Sequence, residues 1–278
     1  MDNMLQNKIT FWGVRGSIPT PDKNKMGYGG HTSCVSLNTK NNNLLIIDMG
    51  TGLRELGHEI ISNPKSPKTI HVILSHYHWD HVLGILFFAP LFTEGYTIHF
   101  YGKKENLSLK SIFDHILHPI FWPVSRKDFK AKLHFHDLGD GQELHIEDEI
   151  KINTQIHGHP NGALSFRVTI DEKNFTYITD CEHPDSHLNN NLINLAKNTD
   201  ILIHDAHFTP EDLITHKGWG HSSWKQALDM AIYSKAKKLI LFHHNPIYND
   251  DYLADIEIKV QKKLKGTITA KQGLVIYL

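Results

Sequence analysis

Six consecutive residues constrain this chain more than any other feature. His76-Tyr77-His78-Trp79-Asp80-His81 places three imidazoles and a carboxylate directly behind the mostly apolar run Ile70-His71-Val72-Ile73-Leu74. A run of that length and composition reads as a buried strand, so the donors emerge where a strand ends and a loop begins. Open α/β sheets build their sites at that end of their strands. His76 and His78 can converge on one ion from an extended turn, and Asp80 and His81 can face a second. Imidazole with carboxylate suits a borderline divalent cation such as zinc, or a harder one such as manganese. A single His-x-His would read as readily as a hydrogen-bonded helix cap; four donors in six residues behind an apolar strand do not.

Other apolar runs fit strands at 9–12, 44–48, 97–101, 133–138, 150–156, 163–170, 175–179, 201–204 and 238–243. Helical periodicity fits 52–61, 80–88, 105–115, 188–197, 223–235 and 251–262. Ser223 followed by Gln226 has the form of a capping box at a helix start. Strands come first, then strands mixed with helices, in both halves of the chain. That order predicts an α/β protein with sheets sandwiched between helices. Many of the 22 histidines follow such runs, beside Asp, Gly or another His.

The length of 278 residues accommodates one large domain, read here as 1–278 with halves near 1–150 and 151–278. Lys and Arg number 29 against 30 Asp and Glu, a balance that argues against a general nucleic-acid binder. Two cysteines, Cys34 and Cys181, make no disulfide framework and fit a reducing compartment. The first eight residues contain no apolar core of signal-peptide length, and no stretch approaches a membrane helix. A cytoplasmic protein with no membrane partner is expected.

The His76–His81 segment resembles the signature of the metallo-β-lactamase fold superfamily, and the resemblance extends over nearly the whole chain. Asp48-Met49-Gly50-Thr51-Gly52 is similar to the family's Asp-x-Gly turn. The resemblance implies an αββα sandwich of two mixed β-sheets flanked by helices, and two divalent metal ions, with Zn2+ first and Mn2+ second. It also implies further ligands. His159, before the run 163–170, is similar to the third motif, with His157 as its competitor. Asp180, closing the run 175–179, resembles the Asp that bridges both ions, and Cys181 beside it is expected to be a bystander. His243, closing the run 239–242, resembles the last motif, with His244 as alternative. One ion would then take His76, His78, His159 and Asp180; the other would take Asp80, His81, Asp180 and His243.

Two more segments point to phosphorus chemistry. His204-Asp205-Ala206-His207 resembles the His-Glu-Ala-Thr segment of tRNase Z and its phosphodiesterase relatives, with Asp205 in place of Glu. Gly220-His221-Ser222-Ser223 resembles that group's later His-Ser segment. Carried over, Asp205 orients a protonated His221 toward a scissile phosphate, and Asp80 both ligates and helps orient the nucleophile. Residues 13–21 and 28–34 are similar to bacterial 5-phosphoribosyl 1,2-cyclic phosphate and cyclic-nucleotide phosphodiesterases. A small, cyclic phosphodiester is therefore the expected substrate, ahead of a folded RNA cleaved in tRNase Z fashion or a thioester or lactone. The segment 103–132 contains Phe121 and Trp122 and reads either as a flap over the site or as core packing. The resemblance also implies a homodimer.

Overall fold

The computed structural model describes residues 6–184 and 187–278; the first five residues of the N-terminal stretch lie outside it. The chain divides into two compact units. One comprises the described part of Met1–Gly13 with His31–Gly139 and Gly273–Leu278; the other comprises Val14–Gly30 and Asp140–Gln272. Each contains one seven-stranded mixed sheet.

The first sheet contains β1 (Lys8–Gly13), β2 (Cys34–Asn38), β3 (Leu44–Ile47), β4 (Thr69–Leu74), β5 (Thr97–Lys103), β6 (Lys132–Leu138) and β14 (Val275–Tyr277), in the order β14-β1-β2-β3-β4-β5-β6. Pairing is antiparallel from β14 to β3 and parallel from β3 to β6. Even-numbered residues of its parallel strands (Ile46, Val72, Leu74, Ile98, Phe100) share one face, as the two-residue period of a strand requires. Helix α1 (Leu53–Ser62) lays Leu53, Leu56 and Ile60 against them, and α3 (Leu109–Ile116) adds Leu109 and Phe113. Burying each such side chain contributes about 1.5–3 kcal/mol. That sum stabilises helices too short to persist alone in water.

The second sheet runs β13-β12-β11-β10-β9-β8-β7. It is built from β7 (Glu143–Ile146), β8 (Ile150–His157), β9 (Ala163–Ile170), β10 (Lys173–Ile178), β11 (Ile201–Asp205), β12 (Lys238–Phe242) and β13 (Ile268–Thr269). Here β10 to β13 are parallel and β7 to β10 antiparallel. Ala227, Leu228 and Ala231 of α6 (Trp224–Ser234) and Leu253, Ile256 and Val260 of α7 (Asp250–Gln261) pack with Leu202, Leu239 and Leu241. The expected capping box is present: Ser223 Oγ accepts from Gln226 N–H while Gln226 accepts from Ser223 N–H.

Two helix expectations need correction. Residues 80–88 do not form one helix: α2 is a single turn, Trp79–Val82, followed by a 3₁₀ segment. Gly84 N–H donates to Met49 O at 2.8 Å rather than four residues back, so a tertiary partner takes the bond that would have extended the helix. The helix expected from 105 begins at Leu109, where Ser108 Oγ accepts from Ser111 N–H and Asp137 accepts from Leu109 N–H. Segments Pro210–Thr215 (α5) and Asn190–Leu195 (α4) complete the helices used below. No helix among the described residues is long and apolar enough to cross a membrane.

Arg15, within the segment 13–21, is wholly buried. Its guanidinium donates to the carbonyls of Gly29 (2.9 Å), Asn245 (3.2 Å), Tyr248 (2.7 Å) and Lys25 (3.2 Å). Burial lowers its pKa, against the attraction of Asp250 and Asp22. It ties residues 14–30 to the β12–α7 loop. Arg15→Met keeps most of the volume but strands those carbonyls, each costing about 1–3 kcal/mol. A loss of about 3 kcal/mol or more is expected, read as a lower urea midpoint at an unchanged m-value.

Candidate metal centre

In the first unit the donors are arranged by one buried carboxylate. Asp48 follows β3 with a left-handed backbone, φ 62°, a conformation that costs energy outside glycine and collects at functional sites. It accepts from Ser75 N–H (2.8 Å) and Ser75 Oγ–H (2.9 Å), at the end of β4. It also stands 2.9 Å from His81 Nδ1. A carboxylate only accepts, so Nδ1 carries the ring proton and Nε2 keeps its lone pair. That Nε2 lies 3.4 Å from Asp80 Oδ2. With its proton given to Asp48, Ser75 Oγ accepts from His76 Nδ1–H at 3.0 Å, which again reserves Nε2. The His76 ring lies 4.5 Å from that of His78 and 4.3 Å from that of His81, centre to centre. His76, Asp80 and His81 are buried. Met49 N–H donates to His81 O at 2.7 Å, and at Gly50 a Cβ would fall 2.4 Å from Asp80 O. The Asp-x-Gly turn is thus glycine because the metal loop lies directly on it.

In the second unit Asp180, Asp205 and His243 stand at the ends of β10, β11 and β12, His159 just after β8 and His221 shortly before α6. Asp180 and His243 both have left-handed backbones (φ 50° and 59°), and His243 Nε2 lies 3.2 Å from Asp180 Oδ2. His159 Nδ1–H donates to Gly220 O at 2.9 Å, and its Nε2 lies 3.8 Å from Asp180 Oδ1. Gly220 has φ 84°, and a Cβ there would sit 2.0 Å from His159 Nδ1. Neither competitor presents a nitrogen to Asp180 in this way. Both His157 nitrogens are engaged, Nε2 with the Thr179 and Asp180 carbonyls and Nδ1 with Ser165 Oγ; His244 Nε2 donates to Ala270 O.

Asp205, wholly buried, accepts from His207 N–H at 2.8 Å and from His221 Nδ1 at 3.1 Å. Its pKa is lowered: burial opposes the charge, and the His221 hydrogen bond and charge outweigh it. His221 Nδ1 also lies 3.7 Å from Asp180 Oδ1. Two neighbours that sequence reasoning left without a role hold this pair. Glu182 accepts from Gly218 N–H and Gly220 N–H, both at 2.7 Å, and so clamps the loop that carries His221. The His207 ring stacks on His221 at 4.1 Å and 16°. His207 stood in the quoted His-Asp-Ala-His segment; for Glu182 no local signal exists.

Each unit therefore offers nitrogen and oxygen donors with tautomers set by a second partner, the arrangement by which proteins orient metal ligands. The donor chemistry fits the divalent ions expected from the sequence. In the first unit, Tyr77 OH donates to Lys103 O, anchoring the start of 103–132 to the metal loop. Phe121 is exposed, and Trp122 meets Phe87 edge-on at 5.3 Å; neither belongs to the buried core.

Residues 43–244 match the model of the Beta-lactamase superfamily domain. The chain is 23% identical to a ribonuclease Z of Prochlorococcus marinus (strain MIT 9515), over 96% of this chain and 98% of that protein. It is 25% identical to a ribonuclease Z of Archaeoglobus fulgidus, over 95% of each. Among solved structures it is similar to the metallo-β-lactamase fold protein YhfI from Bacillus subtilis, with a TM-score of 0.71 at 20% identity, covering 98% of this chain and 99% of the other. A new diphosphatase from the PhnP family gives 0.71 at 18% identity, covering 98% and 97%. The two mixed sheets flanked by helices are those the sequence led one to expect.

Burial also makes this protein acid-sensitive. It lowers the pKa of His157, and those of His183, His207 and His244 to about 3 and of His204 to about 4. Below about pH 6.5 the unfolded chain protonates these rings while the folded chain does not. Their contribution is therefore full above that pH and is lost as pH falls toward 3–4, by up to about 1.4 kcal/mol per pH unit for each ring. For metal-free protein, urea midpoints should fall steeply between pH 7 and 5. A flat profile over that window would contradict the neutral buried state of these histidines.

Proposed function

The chain belongs to the Beta-lactamase superfamily and is a metal-dependent hydrolase, and from that premise we propose that it hydrolyses a small, cyclic phosphodiester. In this reading His76, His78, Asp80, His81, His159, Asp180 and His243 hold two divalent ions, zinc in first place. Such a pair lowers the pKa of water and polarises phosphoryl oxygens.

The observation that carries the reading is the buried Asp205–His221 hydrogen bond, 3.1 Å long. With Nδ1–H given to an ionised carboxylate, His221 gains stability as an imidazolium, and its Nε2–H becomes an acid. An in-line attack on phosphorus expels an alkoxide, which needs that proton; the same charge favours a phosphoryl oxygen as it becomes more negative. Glu182 and the stacked His207 restrict where the ring can go. Asp80, besides ligating, helps to orient the attacking oxygen. Relatives described as ribonucleases Z and a diphosphatase support phosphorus chemistry. The near-equal charge count, 29 against 30, favours a small substrate over a long polyanion. Exposed Trp79, Phe87, Ile120 and Phe121 suit a flap at 103–132 that stacks on a base or ribose. A thioester, whose thiolate leaves without a proton, gives the Asp205–His221 pair no such task.

Wild type and His221→Ala should be compared on bis(p-nitrophenyl) phosphate and on cyclic substrates: 2′,3′- and 3′,5′-cyclic nucleotides and 5-phosphoribosyl 1,2-cyclic phosphate. Nitrophenolate leaves without help, so the variant should lose least there. On a cyclic ester with an alkoxide leaving group, kcat should fall by about 10²–10⁴-fold. Equal losses on both substrate types would remove the acid role. Thioester hydrolysis alongside silent phosphodiester assays would overturn the reading. Active enzyme with fewer than one bound divalent ion per chain would sink the two-ion centre.

A further inference from the structure

A second cluster of donors lies within the second unit, apart from those used above. Cys181, His183 and His204 are each at least nine-tenths buried, and each offers a ligand atom within 4.8 Å of the other two. From these residues we propose a separate, sulfur-containing metal site of the zinc class, structural in role.

The strongest sign is His204. Its Nδ1–H donates to Asp205 O at 2.8 Å, which leaves the lone pair on Nε2. That Nε2 is buried and has no hydrogen-bond partner among the described residues. A lone pair removed from water and given nothing costs about 1–3 kcal/mol; a metal ion is a partner of the right kind. A backbone carbonyl on the far nitrogen is also the usual way a ligating imidazole is oriented. His183 supplies the second nitrogen, its ring lying nearly parallel to that of His204 at 5.6 Å. The thiol of Cys181 stands 3.9 Å from His183 Nδ1. Zinc bonds of ~2.3 Å to sulfur and ~2.0–2.1 Å to nitrogen place tetrahedral donors roughly 3.3–3.6 Å apart. The set therefore has to close by about an ångström. His183 already accepts Asn189 N–H at Nδ1, at 3.3 Å; ligation through Nδ1 replaces that long bond. Thiolate with two imidazoles selects zinc or copper over magnesium or calcium. A water molecule would complete a four-coordinate set on the three protein donors.

The placement gives such an ion a purpose. It would join the end of β10 to β11, and it brackets Glu182, whose carboxylate points the other way to clamp Gly218 and Gly220. Cys181 N–H also donates to Asp205 Oδ2 at 3.4 Å. An ion on Cys181, His183 and His204 therefore fixes the backbone that carries Asp180, Glu182 and Asp205 without touching substrate.

Cobalt(II) distinguishes this site from the nitrogen- and oxygen-ligated centre, because only thiolate ligation adds a sulfur-to-cobalt charge-transfer band in the near ultraviolet. Metal-stripped full-length wild type, Cys34→Ser, Cys181→Ser and His204→Gln would be titrated with Co2+, with folding followed by circular dichroism. The band should appear in wild type and Cys34→Ser. It should be absent in Cys181→Ser, which keeps the visible ligand-field bands, and should need roughly 100-fold more cobalt in His204→Gln. Visible bands in wild type without the charge-transfer band would overturn the proposal, even if Cys181→Ser failed to fold; so would a band lost in Cys34→Ser instead. Ligand-field intensity missing from folded Cys181→Ser would count against the two-ion centre alone.

Discussion

The chemically active side chains of this protein are mostly held out of water, and every buried ionisable group must be given a partner. A lone charge moved into a protein interior costs far more than a single fold can absorb. Asp48 is the clearest case. Its carboxylate is fully buried, and the Ser75 N–H, Ser75 hydroxyl and His81 ring N–H compensate it. The same bonds set the tautomers of His76 and His81. Compensation of a buried charge and preparation of metal ligands are here one set of contacts.

Strand ends make this possible. A parallel strand buried on both faces offers side chains no outlet along its length, so polar donors collect where the strand stops. Asp48 and His243 directly follow the last residue of a strand, Asp180 stands two residues beyond one, and each has positive φ. That backbone turns the side chain away from the direction in which the strand would have carried it. The strain, about 1–3 kcal/mol for each such residue, is sustained by the sheets and by the helices packed on them.

Much of this was legible beforehand. The His76–His81 cluster, the strands around it and the Ser223–Gln226 capping box depend on neighbours within a few residues, and local pattern reports local physics. Helix 80–88 does not form because Gly84 finds its acceptor at Met49, thirty-five positions back, which no periodicity records. Nothing around Arg15 in the sequence points to its acceptors, which include Asn245 and Tyr248. Cys181 was expected to stand idle, and only the placing of β11 beside β10 brings His204 toward it.

The sequence by itself determined the inventory and the order: which donors exist, that they follow apolar runs, and that two mixed sheets with helices would carry them. Those are properties of composition and short-range periodicity. Only the tertiary structure decided which nitrogen of each imidazole is occupied, that His159 rather than His157 faces Asp180, and that Glu182 holds the His221 loop. Each of these rests on a hydrogen bond between residues far apart in the chain, and burial makes that bond obligatory without writing its partner into the local sequence.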